Sequence, residues 1–275
     1  MTKNSFHNKH VVVTGGNSGL GLALAHALAD QGAQLTLMAR SASKLESARA
    51  EILTRQPRAV IDILPIDVTN ETAAAEAMDA AAAAQGRIDA LINNAGILRE
   101  GYFEKLAPGD FREVMEINYF GVINTTRAAL PHLRQSRGRL INIASVAGHV
   151  GAFGYSAYCS SKHALVGLTS CLRYELEPMG IKVQLVCPGE FDSPLVDTLD
   201  QTRTPENRAH VLTIPKASVE TIVRDVMKGL ETEKYEIIPT RLARAAVKIS
   251  RFAPGMLRKS GNRVIAKVYR GPVDA

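Results

Sequence analysis

From about Val11 to Tyr235, short apolar runs alternate with segments whose apolar positions recur every three or four residues. His10-Val11-Val12-Val13-Thr14 is β-branched and apolar throughout. A parallel strand covered on both faces has no need of polar alternation, so the run predicts one. Gly15-Gly16-Asn17-Ser18-Gly19-Leu20-Gly21 follows, then Leu22, Leu24, Ala25, Leu28 and Ala29 at helical spacing, with Gly32 as a stop. Gln34–Arg40 predicts a second strand and Ala90-Leu91-Ile92 a later one. The alanine-rich stretch Ala73–Ala84, which carries Glu76, Met78 and Asp79, predicts a helix. Strands alternating with helices predict an α/β chain on a doubly wound parallel sheet. At 275 residues and 46% hydrophobic, the chain can bury one sizeable core, with no tandem repeat or long linker to divide it.

The pattern changes after residue 240, so the expected division is residues 1–240 as the domain and 241–275 as a basic amphipathic extension. Leu242, Ala245, Ala246, Ile249, Phe252, Ala253, Met256 and Leu257 follow i, i+3, i+4, i+7 spacing, with Arg241, Arg244, Lys248 and Arg251 on another face. Pro254-Gly255 is expected to bend or break this helix. A second short stretch, Arg263 to Arg270, sets Val264, Ile265, Val268 and Tyr269 beside three more cations. The segment holds nine Lys/Arg against one acid, Asp274: a net +8, where the whole chain carries +6 and residues 1–240 therefore −2. Two readings of it stay open. Either it lies on an anionic membrane surface, or its apolar side packs on the body or a second subunit. Nucleic acid is not expected, since no binding module is recognisable.

Cys159, Cys171 and Cys187 show no CxxC or metal spacing and the seven His no ligand spacing, so no metal is expected and a reducing compartment is. The polar stretch Met1 to His10 has no signal-peptide core, and no apolar run approaches membrane-spanning length. The expected location is cytoplasmic, peripheral on the membrane face if the extension binds it.

Three features carry chemistry. Strand, glycine turn and helix is the context of a dinucleotide fingerprint, here Gly15-x3-Gly19-x-Gly21: the glycines admit close backbone approach and the helix N-terminus receives a pyrophosphate. About 20 residues on, where an acid would bind the ribose 2′-hydroxyl of NAD, the chain has Ala39 and Arg40, followed by Ser41 and Ser43. A guanidinium suits a 2′-phosphate, which predicts NADP(H); the alternative is a solvated strand-end charge. Tyr158 and Lys162, four apart, share a helix face, and an ammonium beside a phenol favours the phenolate. That spacing alone is a common accident. Its weight comes from the glycine turn and from Ser145 upstream, whose hydroxyl can hold a carbonyl oxygen against the phenol.

Together these residues resemble the short-chain dehydrogenase/reductase family over roughly residues 8–235, which implies a single Rossmann-fold domain. The resemblance implies that Tyr158 exchanges a proton with the substrate oxygen and that Lys162 binds the nicotinamide ribose and lowers the Tyr158 pKa. It gives Ser145 the orienting of the substrate oxygen and Asn118 the positioning of a relay water. Asn94, Ala95 and Gly96 follow a strand end that braces the sheet; Asp67-Val68 matches the adenine-contacting pair and Pro188-Gly189 the turn by the nicotinamide. Ser193 stands where a carboxamide-binding Thr is usual. The implied cofactor set is completed by Thr14, Gly15, Asn17, Ser18, Gly19, Leu20, Gly21, Arg40, Ser41 and Phe191.

Within the family the chain is similar to 3-ketodihydrosphingosine (3-ketosphinganine) reductases at Gly148–Tyr158, Asp192-Ser193-Pro194, a lid at about 190–215, and the Val219–Leu230 helix. It departs at Pro188-Gly189-Glu190, where those relatives carry Pro-Pro-Asp, and in lacking strongly apolar membrane-dipping segments. The implied function is NADPH-dependent reduction of a long-chain ketone, 3-ketosphinganine to sphinganine. The alternatives are a steroid, retinoid or xenobiotic carbonyl reductase and a non-catalytic NADP-binding sensor or scaffold. By the same resemblance, a homodimer or homotetramer is expected to pair through Phe111–Leu133 and Ser156–Glu177.

Overall fold

A computed structural model describes residues 5–269; Arg270 and Asp274 of the extension lie outside them. Among the described residues, seven parallel strands form one sheet: β1 (His10–Thr14), β2 (Gln34–Ala39), β3 (Ile61–Pro65), β4 (Ala90–Asn93), β5 (Arg139–Ile143), β6 (Lys182–Val186) and β7 (Glu236–Ile237), in spatial order β3-β2-β1-β4-β5-β6-β7. Val11, Val12 and Val13 are wholly buried because helices cover both faces. On one face α1 (Gly19–Asp30), α2 (Ala42–Arg55) and α9 (Val219–Glu231) pack Leu24, Leu28, Leu45, Ile52, Val226 and Leu230 against Val11 and Val13. On the other, α3 (Glu71–Gln85), α5 (Gly121–Ser136) and α6 (Ser156–Leu176) bring Met78, Ala81, Ala129, Leu133 and Leu176 against Val12. Caps set helix ends where propensity alone would not. The Asn70 side chain accepts from Ala73 N to begin the alanine-rich α3, and Gly86 at φ 74° ends it.

The chain reverses its winding between β1 and β4, and the carboxyl ends of these strands open a crevice at the point where ligands bind in such sheets. Buried amides brace that edge. Asn93 Nδ2 donates to Thr126 Oγ1 and Asn142 Oδ1, both at 2.9 Å, and Asn94 Nδ2 to the carbonyls of Thr14 (3.0 Å) and Gly15 (3.1 Å).

The lid is two short helices, α7 (Pro194–Thr202) and α8 (Pro205–Val211), each capped by a hydroxyl before a first-turn proline, Ser193 and Thr204. It is tied down by Thr204 Oγ1 donating to Glu100 Oε1 (2.6 Å), Tyr102 donating to Glu206 Oε2 (2.9 Å), and the buried Arg203 paired with Glu190 (2.9 Å) and Asp200 (3.0 Å).

The extension breaks at the expected place, into α10 (Arg241–Phe252) and α11 (Pro254–Tyr269). Its second part is not the separate short stretch expected at 263–270 but one helix starting at Pro254. No proline interrupts it, and Gly261 is buried against His210, where a Cβ would lie 2.7 Å from Nε2. The expected apolar stripe is also out of phase with the packed face. α10 buries Ala243, Ala246 and Val247 and brings Ala243 and Val247 against Val146, while Leu242, Ile249, Phe252 and Met256 are exposed. Small residues permit close approach to the body, and the large ones are left on the outer side. Arg251 of α10 also pairs with Glu236 of β7 at 2.6 Å. Among the described residues no helix is long and apolar enough to cross a membrane.

Candidate active site

The crevice at the switch point, about 390 Å³, is floored by the glycine turn. Gly15 (φ 64°) has no room for a side chain, since a Cβ would sit 2.9 Å from Asn94 Nδ2; at Gly96 one would sit 3.1 Å from Asn118 Oδ1. These bare backbones leave space for a flat, extended, phosphate-bearing ligand, and α1 points its N-terminus there. Most of the sequence-derived cofactor set lines it: Gly15, Asn17, Ser18, Gly19, Leu20, Arg40, Ser41, Asp67, Val68, Asn94, Ala95, Gly96, Tyr158, Lys162, Pro188, Phe191 and Ser193.

Three of the set do not line it. Thr14 is buried, its Oγ1 accepting from Asn94 N (3.0 Å) and Ala95 N (3.1 Å), so it ties β1 to β4 from behind. Gly21 is needed for packing, since a Cβ there would lie 2.3 Å from the Gly15 carbonyl oxygen. Gly189 faces the second cavity. The sequence reading missed Lys44, a second cation beside Arg40 at the first turn of α2. The signal was there: Ser41 caps the helix by accepting from Lys44 N, which fixes Lys44 near Arg40. Among the described residues nothing pairs with Arg40, which is exposed at the crevice mouth.

Tyr158 and Lys162 stand one turn apart in α6, and Ser145 follows β5. Ser145 Oγ accepts from Ala147 N (3.1 Å) and donates to the Pro188 carbonyl (3.3 Å), so the hydroxyl is held by both flanking loops. Asn118 is fully buried in a π-helical turn (Glu116–Phe120) between α4 (Pro108–Met115) and α5. Its side chain accepts from Ile97 N (2.8 Å) and donates to Ile97 O (2.9 Å) and Ser161 Oγ (3.0 Å), which locks it between the crevice floor and α6.

The electrostatics depart from the expectation that Lys162 lowers the Tyr158 pKa. Burial pushes the phenol up to about 12, and the Ser145 hydroxyl is what draws it back down. Lys162 is itself buried, which lowers it to about 8. Its Nζ donates to the Ile143 carbonyl at 3.0 Å and lies 5.7 Å from the Tyr158 ring centroid, not at the hydroxyl. An ammonium set over the ring face and not at the hydroxyl exerts less pull on the oxygen than burial does. The two nearby thiols are raised by the same desolvation, Cys187 to about 12, which leaves them poor nucleophiles.

A second cavity of about 160 Å³ meets the crevice at Tyr158, Pro188, Phe191, Ser193 and Leu195, and Ser145 lines it too. Val146, Ala147, Val150, Tyr155 and Val211 make it apolar, and Ala246 of α10 and Leu257 of α11 help to roof it. The extension is therefore part of this pocket's wall. Close by, His149, Cys187 and Glu236 bring their polar atoms within 4.8 Å of one another, a cluster invisible in linear spacing. Its groups satisfy each other: His149 Nε2 lies 3.1 Å from Glu236 and 3.4 Å from Cys187 Sγ, and Arg251 takes the same carboxylate.

A family model described as short chain dehydrogenase matches residues 9–204. The 3-ketodihydrosphingosine reductase of Bos taurus is 36% identical over 228 residues, which cover 80% of this chain and 69% of that protein. The crystal structure of a levodione reductase superposes with a TM-score of 0.80 at 29% identity, covering 88% of this chain and 99% of that one. A short chain dehydrogenase from Burkholderia cenocepacia, solved in complex with NADP, gives 0.78 at 27% identity over 93% of this chain and 98% of its own.

Proposed function

We propose a specific reaction for this chain, which belongs to the short-chain dehydrogenase/reductase family and is an oxidoreductase acting on CH–OH and C=O groups: NADPH-dependent reduction of a ketone on a long-chain, lipid-like substrate, 3-ketosphinganine to sphinganine. The observation that carries it is the meeting of a polar, glycine-floored crevice with an apolar pocket at Tyr158, with Ser145 on the pocket side. The likeness to 3-ketodihydrosphingosine reductases supports the substrate.

The cofactor supplies the hydride when bound. Ser145 holds the substrate oxygen by hydrogen bond. Tyr158 donates the proton to that oxygen as negative charge develops. A phenol held up to about 12 keeps its proton through the neutral range, which suits the reductive direction. Lys162 would hold the ribose of the bound cofactor, and Asn118, through Ile97 and Ser161, keeps the crevice floor and α6 in register. Arg40, Ser41, Lys44 and the α2 N-terminus gather positive charge where a 2′-phosphate would sit. Cavities for drug-sized ligands run to roughly 300–1,000 Å³, so a pocket of about 160 Å³ holds the head of a lipid and its first carbons. The rest of the chain leaves past Leu195, which is exposed.

The extension places that mouth at an anionic lipid surface. Leu242, Ile249, Phe252 and Met256 are exposed, with Arg241, Arg244, Lys248, Arg258 and Lys259 exposed around them. Co-sedimentation with phosphatidylglycerol-containing vesicles, lost on replacing Phe252 and Met256 by Ser and weakened by salt, is the expected result. Equal binding to neutral and anionic vesicles would remove the electrostatic part.

The reaction is tested by nicotinamide oxidation at about 340 nm, the absorbance band of the reduced cofactor, with 3-ketosphinganine in mixed micelles. Turnover is expected with NADPH and poorly with NADH. Arg40→Ala should cost about 10- to 100-fold in kcat/KM for NADPH, the worth of a charge-assisted contact, and leave NADH use little changed. The small pocket and the levodione reductase likeness favour a second reading, a compact carbonyl substrate. Turnover of small cyclic ketones and none of the lipid would establish that instead.

A further inference from the structure

We propose that Glu190 recognises a cationic group next to the ketone, so that the pocket selects amine-bearing substrates. The inference rests on the long-chain ketone reading above and narrows it. Among the described residues that line the apolar pocket, Glu190 is the one carboxylate and none is Lys or Arg. His210, the other titratable side chain there besides the tyrosines, is pushed down by burial and accepts from Phe153 N at 3.1 Å, so it is a neutral wall at neutral pH. Glu190 lies two residues from Pro188, whose carbonyl takes the Ser145 hydroxyl, which puts it on the loop that touches the reacting centre. Its negative charge is felt at both Tyr155 and Tyr158, where it adds to the larger effect of burial.

The carboxylate is held in place yet half used. Its side chain is 8% exposed; Oε1 accepts from Arg203 Nη2 at 2.9 Å and lies 3.8 Å from Lys216 Nζ, while among the described residues Oε2 has no partner. Arg203 and Lys216 also share Asp200, and Arg208 lies 4.0 Å from it at the exposed edge. Glu190 and Asp200 thus balance Arg203 and Lys216, and neither cation lines the pocket. A carboxylate oxygen without a protein partner is free to accept from a donor that a ligand brings. An ammonium on the carbon beside the carbonyl supplies three donors and the opposite charge. A carboxylate or phosphate headgroup there would meet like charge, which rejects it.

The test is the ratio of kcat/KM for 3-ketosphinganine to that for its N-acetyl derivative. Glu190→Gln should lower this ratio by about 10- to 100-fold. Glu190→Asp should keep part of it, and Arg203→Gln, which breaks the same lid ion pair but leaves the carboxylate, should keep most of it. A ratio unmoved by Glu190→Gln, or lost equally in Arg203→Gln, would overturn the proposal. Wild-type protein gives a check that needs no variant: dodecylammonium should inhibit at least about tenfold more tightly than dodecanol, and laurate least, by the charge argument above. Equal potencies would overturn it too. If neither ketone is turned over but that order of inhibition holds, the lipid substrate reading fails and the cation site stands.

Discussion

Tyr158→Phe is expected to lower kcat for ketone reduction by about 10²–10⁴-fold, the usual contribution of a positioned general acid, while NADPH still binds. The substitution removes one oxygen and keeps the ring, which packs edge-on against Tyr155 at 5.8 Å between centroids and lies under Lys162. Nicotinamide fluorescence titration reads binding and steady-state oxidation reads turnover. The two separate a catalyst from a non-catalytic NADP-binding sensor, because a sensor has no use for the hydroxyl and would lose neither. The same group fixes a pH signature. With its folded pKa raised to about 12, Tyr158 keeps its proton until the solution is strongly alkaline. Reduction should therefore hold level through the neutral range, and oxidation of the corresponding alcohol, which needs the phenolate, should climb steadily with pH. A reductive rate that fell through neutrality would mean that the cofactor-bound site depresses the phenol after all.

How much of this was legible in the sequence depends on how local each cause is. Val11, Val12 and Val13 read as a strand because burial on both faces leaves an unbroken apolar run, and they are wholly buried. The glycine turn read equally well, since close backbone approach admits few residue types. Pairings across long sequence separations left no trace: Glu100 with Thr204, Glu190 with Arg203 through the lid, Glu236 with His149 and Arg251. The lid helices were partly readable, through Ser193-Pro194 and Thr204-Pro205. Periodicity in the extension showed that a stripe exists but not which side of it meets protein. Ala243 and Val247 won the packed face because small side chains fit against Val146, and the larger ones were displaced outward. The Tyr158 and Lys162 spacing showed adjacency and nothing of burial, which is the larger influence on both groups.

Lys162→Met should abolish most turnover yet make the cofactor-free protein more stable at neutral pH. Burial takes Lys162 from its ordinary 10.5 to about 8, a gap worth about 3 kcal/mol against the folded state. The unfolded chain holds this proton up to about pH 10.5, whereas the folded chain gives it up near 8. Between those limits the unfolded state binds more protons, so stability rises with pH; below about 8 both states are protonated and the whole cost is present. A methionine of similar length removes the charge and forfeits the hydrogen bond to Ile143 O, worth about 1 kcal/mol. The net gain at neutral pH is then about 2 kcal/mol. Urea denaturation of the cofactor-free variant and wild type across pH reads this directly, with the gap between them closing as pH rises from about 8 to 10.5. A variant less stable than wild type at neutral pH would show that the buried ammonium is compensated by neighbours that burial alone does not reveal. The expected result places Lys162 among residues kept for the site at the expense of the fold, since an apolar residue would serve the α6 core better.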